Sequence, residues 1–506
     1  MNKKNITIFF IVYFTCNLIW LYRDLLPPSW DQAHHMLLSL RYFRLMPNMW
    51  LLHDVRNFLS VSHYYPPFFH LSSIPVIFLL GFSESSLILT NVFYSIILIV
   101  SLLGIVRYLF NEQTGLWSIL LLLLYPMIYA MLREYLIDFA LVAMVAATQY
   151  LILKSEGGIK KRWNLLLGVV VGFTLLTKSV SVIFFIPLWI FTAIKNFNKS
   201  RDFIPIFISI LISAVIAGPW YLASFKDMIF LNDYWQKFAI NVEGDINTFI
   251  PSVFWYIGVI KDTMISPILS FVLLIGTACF FLFDRRKEVL VFLMTCSVPA
   301  FLLLSLTPNK DARYIMPCLP IFAMLTMGGI CAIPKKVIRR VALVFITIVA
   351  CVQFVNLSFG VPPFLVKREN FFYNHSPLQY DWKIKEILGF ISKRFGRENI
   401  AIGFLPDSKY FNLSAFIFYT NLFNLPYSVE YVGNSNVEIT QIDKYDVFIT
   451  KSPNVAVPHK SFYRNKFNKE MDVSMYNDIG FKALEKFELP DNTIAFVYYK
   501  VKESND

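Results

Sequence analysis

A chain of 506 residues that is 56% hydrophobic and 16% charged, with a mean hydropathy of +0.55, is too apolar for a soluble globular protein of that length. Its formal net charge of +12 reads as the lysine and arginine excess of cytoplasmic loops rather than as a nucleic-acid-binding surface. Its six cysteines lie in apolar stretches with neither metal nor disulfide spacing, and read as small hydrophobes.

Lys3 and Lys4 hold the start of a first span, 6–22, in the cytoplasm. No small-x-small cleavage site precedes Trp20, so this segment is expected to be retained as an anchor. A polar, aromatic outer loop, 23–85, follows and holds five of the seven histidines: His34, His35, His53, His63 and His70. Within it, 74–82 is apolar but short, and behind Pro75 it reads as a re-entrant or interfacial piece. Further spans are expected at 87–108, 116–130, 135–153, 165–177, 180–194, 203–223, 264–283, 289–306, 314–333 and 341–358. With the first they make about eleven. The pieces on either side of Lys178 are short, so that region is expected to be tilted or broken.

Charge tests this layout. Loops assigned to the cytoplasm carry Lys154/Lys160/Lys161/Arg162, Lys195/Lys199/Arg201, Arg285/Arg286/Lys287 and Lys335/Lys336/Arg339/Arg340, whereas loop 224–262 is balanced by its aspartates and Glu243. The asymmetry puts the N-terminus inside and the C-terminus outside, and it would invert if 74–82 spanned. After 358 the composition changes, and 375–506 has the charge, Asn, Gly and Pro content of a soluble fold. Residues 382–391 have helical periodicity, 399–405 and 445–450 read as short buried strands, and 481–489 with 493–501 read as a hairpin around Pro490-Asp491-Asn492. The expected architecture is an all-α polytopic membrane domain, 1–358, followed by a small extracytoplasmic α/β domain, 375–506.

Polar residues at the outer ends of spans are the candidates for chemistry, because charge at that depth is costly unless it meets water or a partner. Asp31, in Trp30-Asp31-Gln32-Ala33-His34, follows directly on the first span. Arg133 and Asp138 bracket one helical turn at the outer start of another. Lys178 lies between two short apolar pieces, Asp311-Ala312-Arg313-Tyr314 precedes Pro317 and Pro320, and Tyr64-Tyr65-Pro66-Pro67 forms a stiff aromatic loop. Each has a plainer reading, as helix cap, headgroup contact or snorkelling cation. Together they put carboxylates and cations on one side of the membrane. A lipid phosphate bearing a transferable group needs that mixture: cations for the phosphate and a carboxylate to deprotonate an acceptor.

These motifs resemble the membrane glycosyltransferases of the GT-C fold, in particular protein O-mannosyltransferases and bacterial aminoarabinose transferases (glycosyltransferase families 39 and 83). Trp30-Asp31-Gln32-Ala33-His34 is similar to the family's Asp-Glu-x-His signature, and Tyr65-Pro66-Pro67-Phe68 to its Pro-Pro-Leu segment. Arg133 and Asp138 match its second acidic motif in spacing, Thr177-Lys178-Ser179 its Thr-Lys-Gly, and Arg313-Tyr314 with Pro317 and Pro320 its Arg-Tyr-x-x-Pro pattern. Gln32 departs from the usual acidic residue, and Tyr65 from the usual His or Lys.

The resemblance implies an inverting hexosyl- or pentosyltransferase of the cytoplasmic membrane. It would move a sugar from a polyprenyl-phosphate donor to a glycan, lipid or protein acceptor on the outer face. Asp31 would be the general base, and Lys178, Arg313 and Arg133 the donor-phosphate ligands. Asp138 would position the acceptor or orient Arg133, and His34, His63, Tyr65 and Tyr314 would line the substrate. No cofactor is required by the motifs, and a divalent metal is left open because no close ligand spacing supports one. The rival readings are a lipid-linked-sugar flippase or carrier and an O-antigen ligase or polymerase. The first leaves the histidine- and aromatic-rich loop unexplained, and the second places its charged residues in a late loop.

Overall fold

The computed structural model describes residues 3–46, 52–200, 204–241, 244–284, 286–361, 373–406, 408–432, 444–452 and 480–501. The chain divides into two compact units. One comprises Met1–Tyr22, Tyr42–Asn241 and Asp245–Pro377, and the other Arg23–Arg41, Val242–Gly244 and Leu378–Asp506.

The first unit is helical. In chain order it contains α1 (Lys3–Arg23), the end of α2 (Trp30–Leu45), α3 (Leu52–Leu59), α4 (Phe68–Ser72), α5 (Ile74–Leu80), α6 (Glu84–Leu109), α7 (Glu112–Leu123) and α8 (Pro126–Leu132). There follow α9 (Ile137–Lys154), α10 (Lys161–Leu175), α11 (Val182–Ser200), α12 (Ile204–Asn241) and α13 (Phe249–Val259). The last four are α14 (Pro267–Cys279), α15 (Lys287–Leu306), α16 (Leu319–Ala332) and α17 (Lys336–Phe359). Among the described residues nine helices are long and apolar enough to cross a membrane, or ten if α7 and α8, bent by 69° at their junction, count as one span. The further span expected at 165–177 is α10, whose 15 residues rise only about 22 Å, short of a full hydrocarbon crossing. The apolar stretch expected at 74–82 is α5, a helix of seven residues.

Interfaces in this unit follow the rules of packing in lipid, where small and polar residues hold helices together. Gly168 and Gly172 bring α10 against α12: a Cβ on either would fall 2.7 Å from the Ser209 carbonyl or 2.8 Å from Ile216 Cβ. Asn164 reaches from α10 to the Pro205 carbonyl and to Ser209 Oγ on α12. Thr148 on α9 and Thr174 on α10 share a hydroxyl hydrogen bond of 2.8 Å. α9 is enclosed by its neighbours, with 83% of its length buried, so the residue at its first turn is fixed by protein rather than by lipid.

The second unit holds most of α2 together with a small α/β fold: α18 (Ile384–Phe395), β1 (Ile400–Phe404), α19 (Leu413–Leu422), β2 (Tyr427–Tyr431), β3 (Val447–Ser452), β4 (Phe481–Glu488) and β5 (Ile494–Lys500). The five strands form one sheet in the order β2-β1-β3-β5-β4. β1 pairs in parallel with β2 and β3, while β3–β5 and β4–β5 are antiparallel. The expected helix, two buried strands and hairpin are α18, β1, β3 and β4–β5. α19 and β2 add to them, a ten-residue apolar helix without a polar face and a five-residue strand whose burial alternates along Tyr427–Tyr431. The core of the sheet's one face is Tyr445, Phe448, Phe481 and Tyr498 with Val432.

Candidate active site

Asp138 owes its position to a break in the helix it was expected to extend. α8 ends at Leu132 with Arg133 as its cap, and α9 starts at Ile137, so Arg133 and Asp138 do not bracket one helical turn. Asn91 of α6 holds the break open by donating from Nδ2 to the carbonyls of Met131, Leu132 and Glu134 at 3.2, 3.2 and 2.8 Å, which satisfies groups a helix end would otherwise orphan. Asp138 then falls in the first turn of α9, where the helix dipole favours a negative charge. Its side chain is 1% exposed.

Two cations converge on this carboxylate. The chain leaves α10 at Leu176, and Lys178 takes an extended conformation before a 3-10 turn, Ser179–Ser181. Lys178 Nζ donates to Asp138 Oδ1 at 2.8 Å and lies 4.7 Å from the centre of the Tyr314 ring. On the other side, Arg313 Nη1 is 3.8 Å from Asp138 Oδ2. Arg313 is the second residue of a 3-10 turn, Ala312–Cys318, that leads into α16 and contains Pro317. Asp311 caps that turn and accepts from Arg313 Nε and Nη2 at 2.8 and 2.5 Å.

The aromatic loop is stitched beside the Lys178 break. Ser62 Oγ accepts from the backbone N–H of Tyr65 at 2.9 Å, and the Ser62 carbonyl accepts from Trp220 Nε1 of α12 at 3.0 Å. Past the two prolines, Phe68 N–H donates to the Leu176 carbonyl at 3.0 Å. Tyr64 and Tyr65 stack edge-on at 4.8 Å. Asp138, Lys178, Arg313, Tyr314 and Tyr65 are thus brought together from segments far apart in sequence.

Two candidates go elsewhere. Arg133, expected among the phosphate ligands, is buried in an aromatic box, with its guanidinium carbon 4.9, 5.1 and 5.5 Å from the ring centres of Trp20, Tyr129 and Phe354. It donates from Nε to Asn17 Oδ1 at 2.7 Å and from Nη2 to Ser358 Oγ at 2.8 Å, which ties α1, α8 and α17 together. Cation–π contact and hydrogen bonding in a closed box commit this arginine to packing. Asp138 accordingly does not orient Arg133; it serves Lys178 and Arg313. His63 turns to α12, with Nδ1 3.4 Å from Ser224 Oγ and 3.6 Å from Asp227 Oδ2.

Asp31 and His34 lie in the second unit, in the first turns of α2. Ser29 starts the helix by accepting from Ala33 N–H at 2.8 Å, and Gln32 Oε1 reaches back to Ser29 N–H at 3.4 Å. Gln32, at the family's second acidic position, thereby acts as the return arm of a helix cap. The lead into α2 is stapled to the C-terminal fold by Leu25 N–H on the Leu378 carbonyl at 2.9 Å and by Leu378 N–H on Asp24 Oδ1 at 2.8 Å. Burial pushes the His34 imidazole below its ordinary value, Asp31 pulls against that shift, and Arg41 adds to it. Among the described residues no three His, Cys, Asp or Glu side chains are grouped as a metal ion would need.

Asp311 and Asn91 carry the geometry; the sequence singled out Asp311 only as the start of Asp311-Ala312-Arg313-Tyr314 and gave it no role, and Asn91 was not among the candidates. Asp311 had a readable signal, since Asp two residues before a helical Arg is an Asx-turn pattern. Asn91, mid-helix in an apolar span, had none beyond its cost in lipid.

A model of the dolichyl-phosphate-mannose-protein mannosyltransferases matches residues 66–222, which include Pro66-Pro67, Asp138 and Lys178. Among solved structures, ArnT from Cupriavidus metallidurans bound to undecaprenyl phosphate superposes with a TM-score of 0.64 at 14% identity, over 99% of each chain. The fold is that of the GT-C glycosyltransferases. The same ArnT in its apo state gives 0.60 at 13% identity, over 97% of this chain and 98% of that one. The Archaeoglobus fulgidus oligosaccharyltransferase, in a complex with zinc and sulfate, gives 0.51 at 11% identity, over 87% of this chain and 67% of that one. No curated protein matches by sequence. The GT-C resemblance that the motifs carried therefore extends over the whole fold, including the small C-terminal sheet.

Proposed function

We propose that this GT-C protein transfers a sugar from a polyprenyl-phosphate donor to an acceptor on the outer face of the cytoplasmic membrane. The observation that carries the reading is the buried carboxylate of Asp138 between Lys178 and Arg313, with tyrosines beside them. Such a cluster holds two cations in place before any anion arrives, and preorganised charge is the largest lever on a leaving group that departs as an anion. The leaving lipid phosphate meets Lys178 and Arg313, and Asp138 keeps both in register. The likeness to ArnT, whose structure holds undecaprenyl phosphate, supports a polyprenyl-phosphate donor.

In this reading Asp31 takes the proton of the acceptor hydroxyl. The acceptor oxygen bonds to the anomeric carbon as the bond from that carbon to the phosphate oxygen breaks, with inversion, and the lipid phosphate leaves with the electron pair. Tyr65 and Tyr314 provide ring faces and hydroxyls for the sugar, and His34, held neutral by burial, offers a hydrogen bond beside the base. No step is assigned to a metal.

Asp31→Asn tests the assignment. It keeps size and hydrogen bonding but removes the base, which contributes ~10²–10⁴-fold in rate. Membranes carrying the variant, assayed with a radiolabelled lipid-linked sugar, should transfer at least ~100-fold more slowly while retaining the donor. Near-normal transfer per molecule would sink the assignment, and a carrier that only moves the donor would show no dependence of glycan transfer on this carboxylate.

A further inference from the structure

Arg313 is held in a way that its phosphate-binding role does not require. A single carboxylate, that of Asp311, grips both its backbone and its head group. Asp311 Oδ1 accepts from Arg313 N–H at 2.8 Å, and Oδ2 accepts from Nε and Nη2 at 2.8 and 2.5 Å. The guanidinium is folded back on its own turn by one edge, and its Nη1 corner is turned to Asp138, 3.8 Å away. Asp311 and Arg313 are 18% and 16% exposed, so the pair is shielded from most of the solvent that would loosen it.

Asp311 is itself held. The hydroxyl of Tyr373 donates to Asp311 Oδ1 at 3.5 Å, and its ring centre lies 6.0 Å from the Arg313 guanidinium carbon. The residues after Tyr373 are fastened down. Asn374 Nδ2 donates to the Pro126 carbonyl at the start of α8 at 3.2 Å, and the His375 carbonyl accepts from Trp20 Nε1 at 2.9 Å. Trp20 is also a wall of the Arg133 box. The buried Arg133 thus braces the strap that carries Tyr373.

We propose that Asp311 is a positioning residue for the donor: it presents Arg313 to the lipid phosphate by one fixed edge, and Tyr373 on the strap steadies it. A carboxylate beside a phosphate-binding cation has an electrostatic cost, because it repels the incoming anion and offsets part of the cation's charge. If Asp311 were only a counter-charge, neutralising it would improve phosphate binding. If it positions Arg313, neutralising it weakens binding, because the long side chain must be ordered when the ligand arrives. The two roles predict opposite signs.

This inference rests on the reading of Arg313 as a donor-phosphate ligand, and the test separates the two. The full-length protein in detergent micelles is titrated with undecaprenyl phosphate, following intrinsic tryptophan fluorescence. Arg313→Ala should weaken binding. Asp311→Asn should weaken it by about tenfold, the cost of ordering one flexible side chain. In the Arg313→Ala background Asp311→Asn should change nothing further. Tyr373→Phe, which removes one hydroxyl, should give a smaller loss of the same sign and carries the test if Asp311→Asn does not fold. Tighter binding by Asp311→Asn overturns the proposal in favour of a counter-charge. An equal loss in both backgrounds also overturns it, because Asp311 would then act through the fold and not through Arg313. Unchanged binding by Arg313→Ala refutes the phosphate reading itself, and the positioning role falls with it.

Discussion

Replacing Asp138 by Asn takes the anion from between two cations that are themselves only 17% and 16% exposed. The separations are 2.8 Å to Lys178 Nζ and 3.8 Å to Arg313 Nη1. At an effective dielectric of ~20 those distances correspond to attractions of ~6 and ~4 kcal/mol before desolvation is counted. Desolvation offsets most of this, and stranding one member of a buried pair costs ~3–5 kcal/mol in practice. Arg313 keeps Asp311, so Lys178 is the cation left stranded. Lys178→Met is milder, ~1–3 kcal/mol, because Asp138 retains Arg313. Asp138→Asn combined with Lys178→Met removes the closer pair entirely and should be less destabilised than the sum of the singles by ~2–3 kcal/mol. Unfolding of the purified protein in mixed detergent–SDS micelles, followed by tryptophan fluorescence, measures all three. Both single variants should also lose ~100-fold in transfer, since displacing a positioned group by an ångström costs that much. Costs that simply add, with a coupling below ~0.5 kcal/mol, would refute the claim that Asp138 and Lys178 act as one unit.

Arg313→Lys keeps the charge but loses the planar fork, so KM for the lipid donor should rise about tenfold with kcat less affected, and an unchanged KM would reduce Arg313 to a boundary cation. His34 gives a pH signature: its folded pKa lies below the unfolded value of ~6.5, so the unfolded chain takes up the proton first as pH falls. Stability from this group is therefore whole above ~6.5 and is lost as pH drops through the folded value. His34→Gln should flatten the stability profile as pH falls below ~6.5, and an unaltered slope would show that the ring is not shielded in solution. A phosphatase reporter fused after Asp506 should be active and a cytoplasm-only reporter silent, while the reverse would mean that α5 belongs to a spanning segment after all.

The membrane architecture was legible because its signal is local and one-dimensional. An apolar run of sufficient length has to be a helix in lipid, since no water is there to satisfy its backbone. The break at Lys178 was legible for the same reason: two apolar runs too short to cross alone flank a charge. The hairpin of β4 and β5 announced itself by turn chemistry at Asp491-Asn492, where Asn492 adopts a positive φ of 61°. The number of spans was less secure, because α10 is short and the bent α7–α8 pair divides one hydrophobic stretch between two directions.

The site was only half legible. Sequence identified Asp138, Lys178, Arg313 and Tyr314 as polar residues at outer span ends, and the family motifs named them as a set. It offered Arg133 as a residue for Asp138 to orient, because Arg133 is five positions away, while the cations that meet Asp138 come from breaks between other helices. Lys178 is 40 residues on from Asp138, and the groups that claim Arg133 are 116 and 225 residues away from it. What the sequence by itself determined is which residues must find a partner inside the membrane: each charged group there carries a desolvation cost wherever it ends up. Which partner it finds was decided by tertiary packing alone. Asn91 caps the open carbonyls of the α8–α9 break, across which one cation lies in an aromatic box while the carboxylate gathers two others.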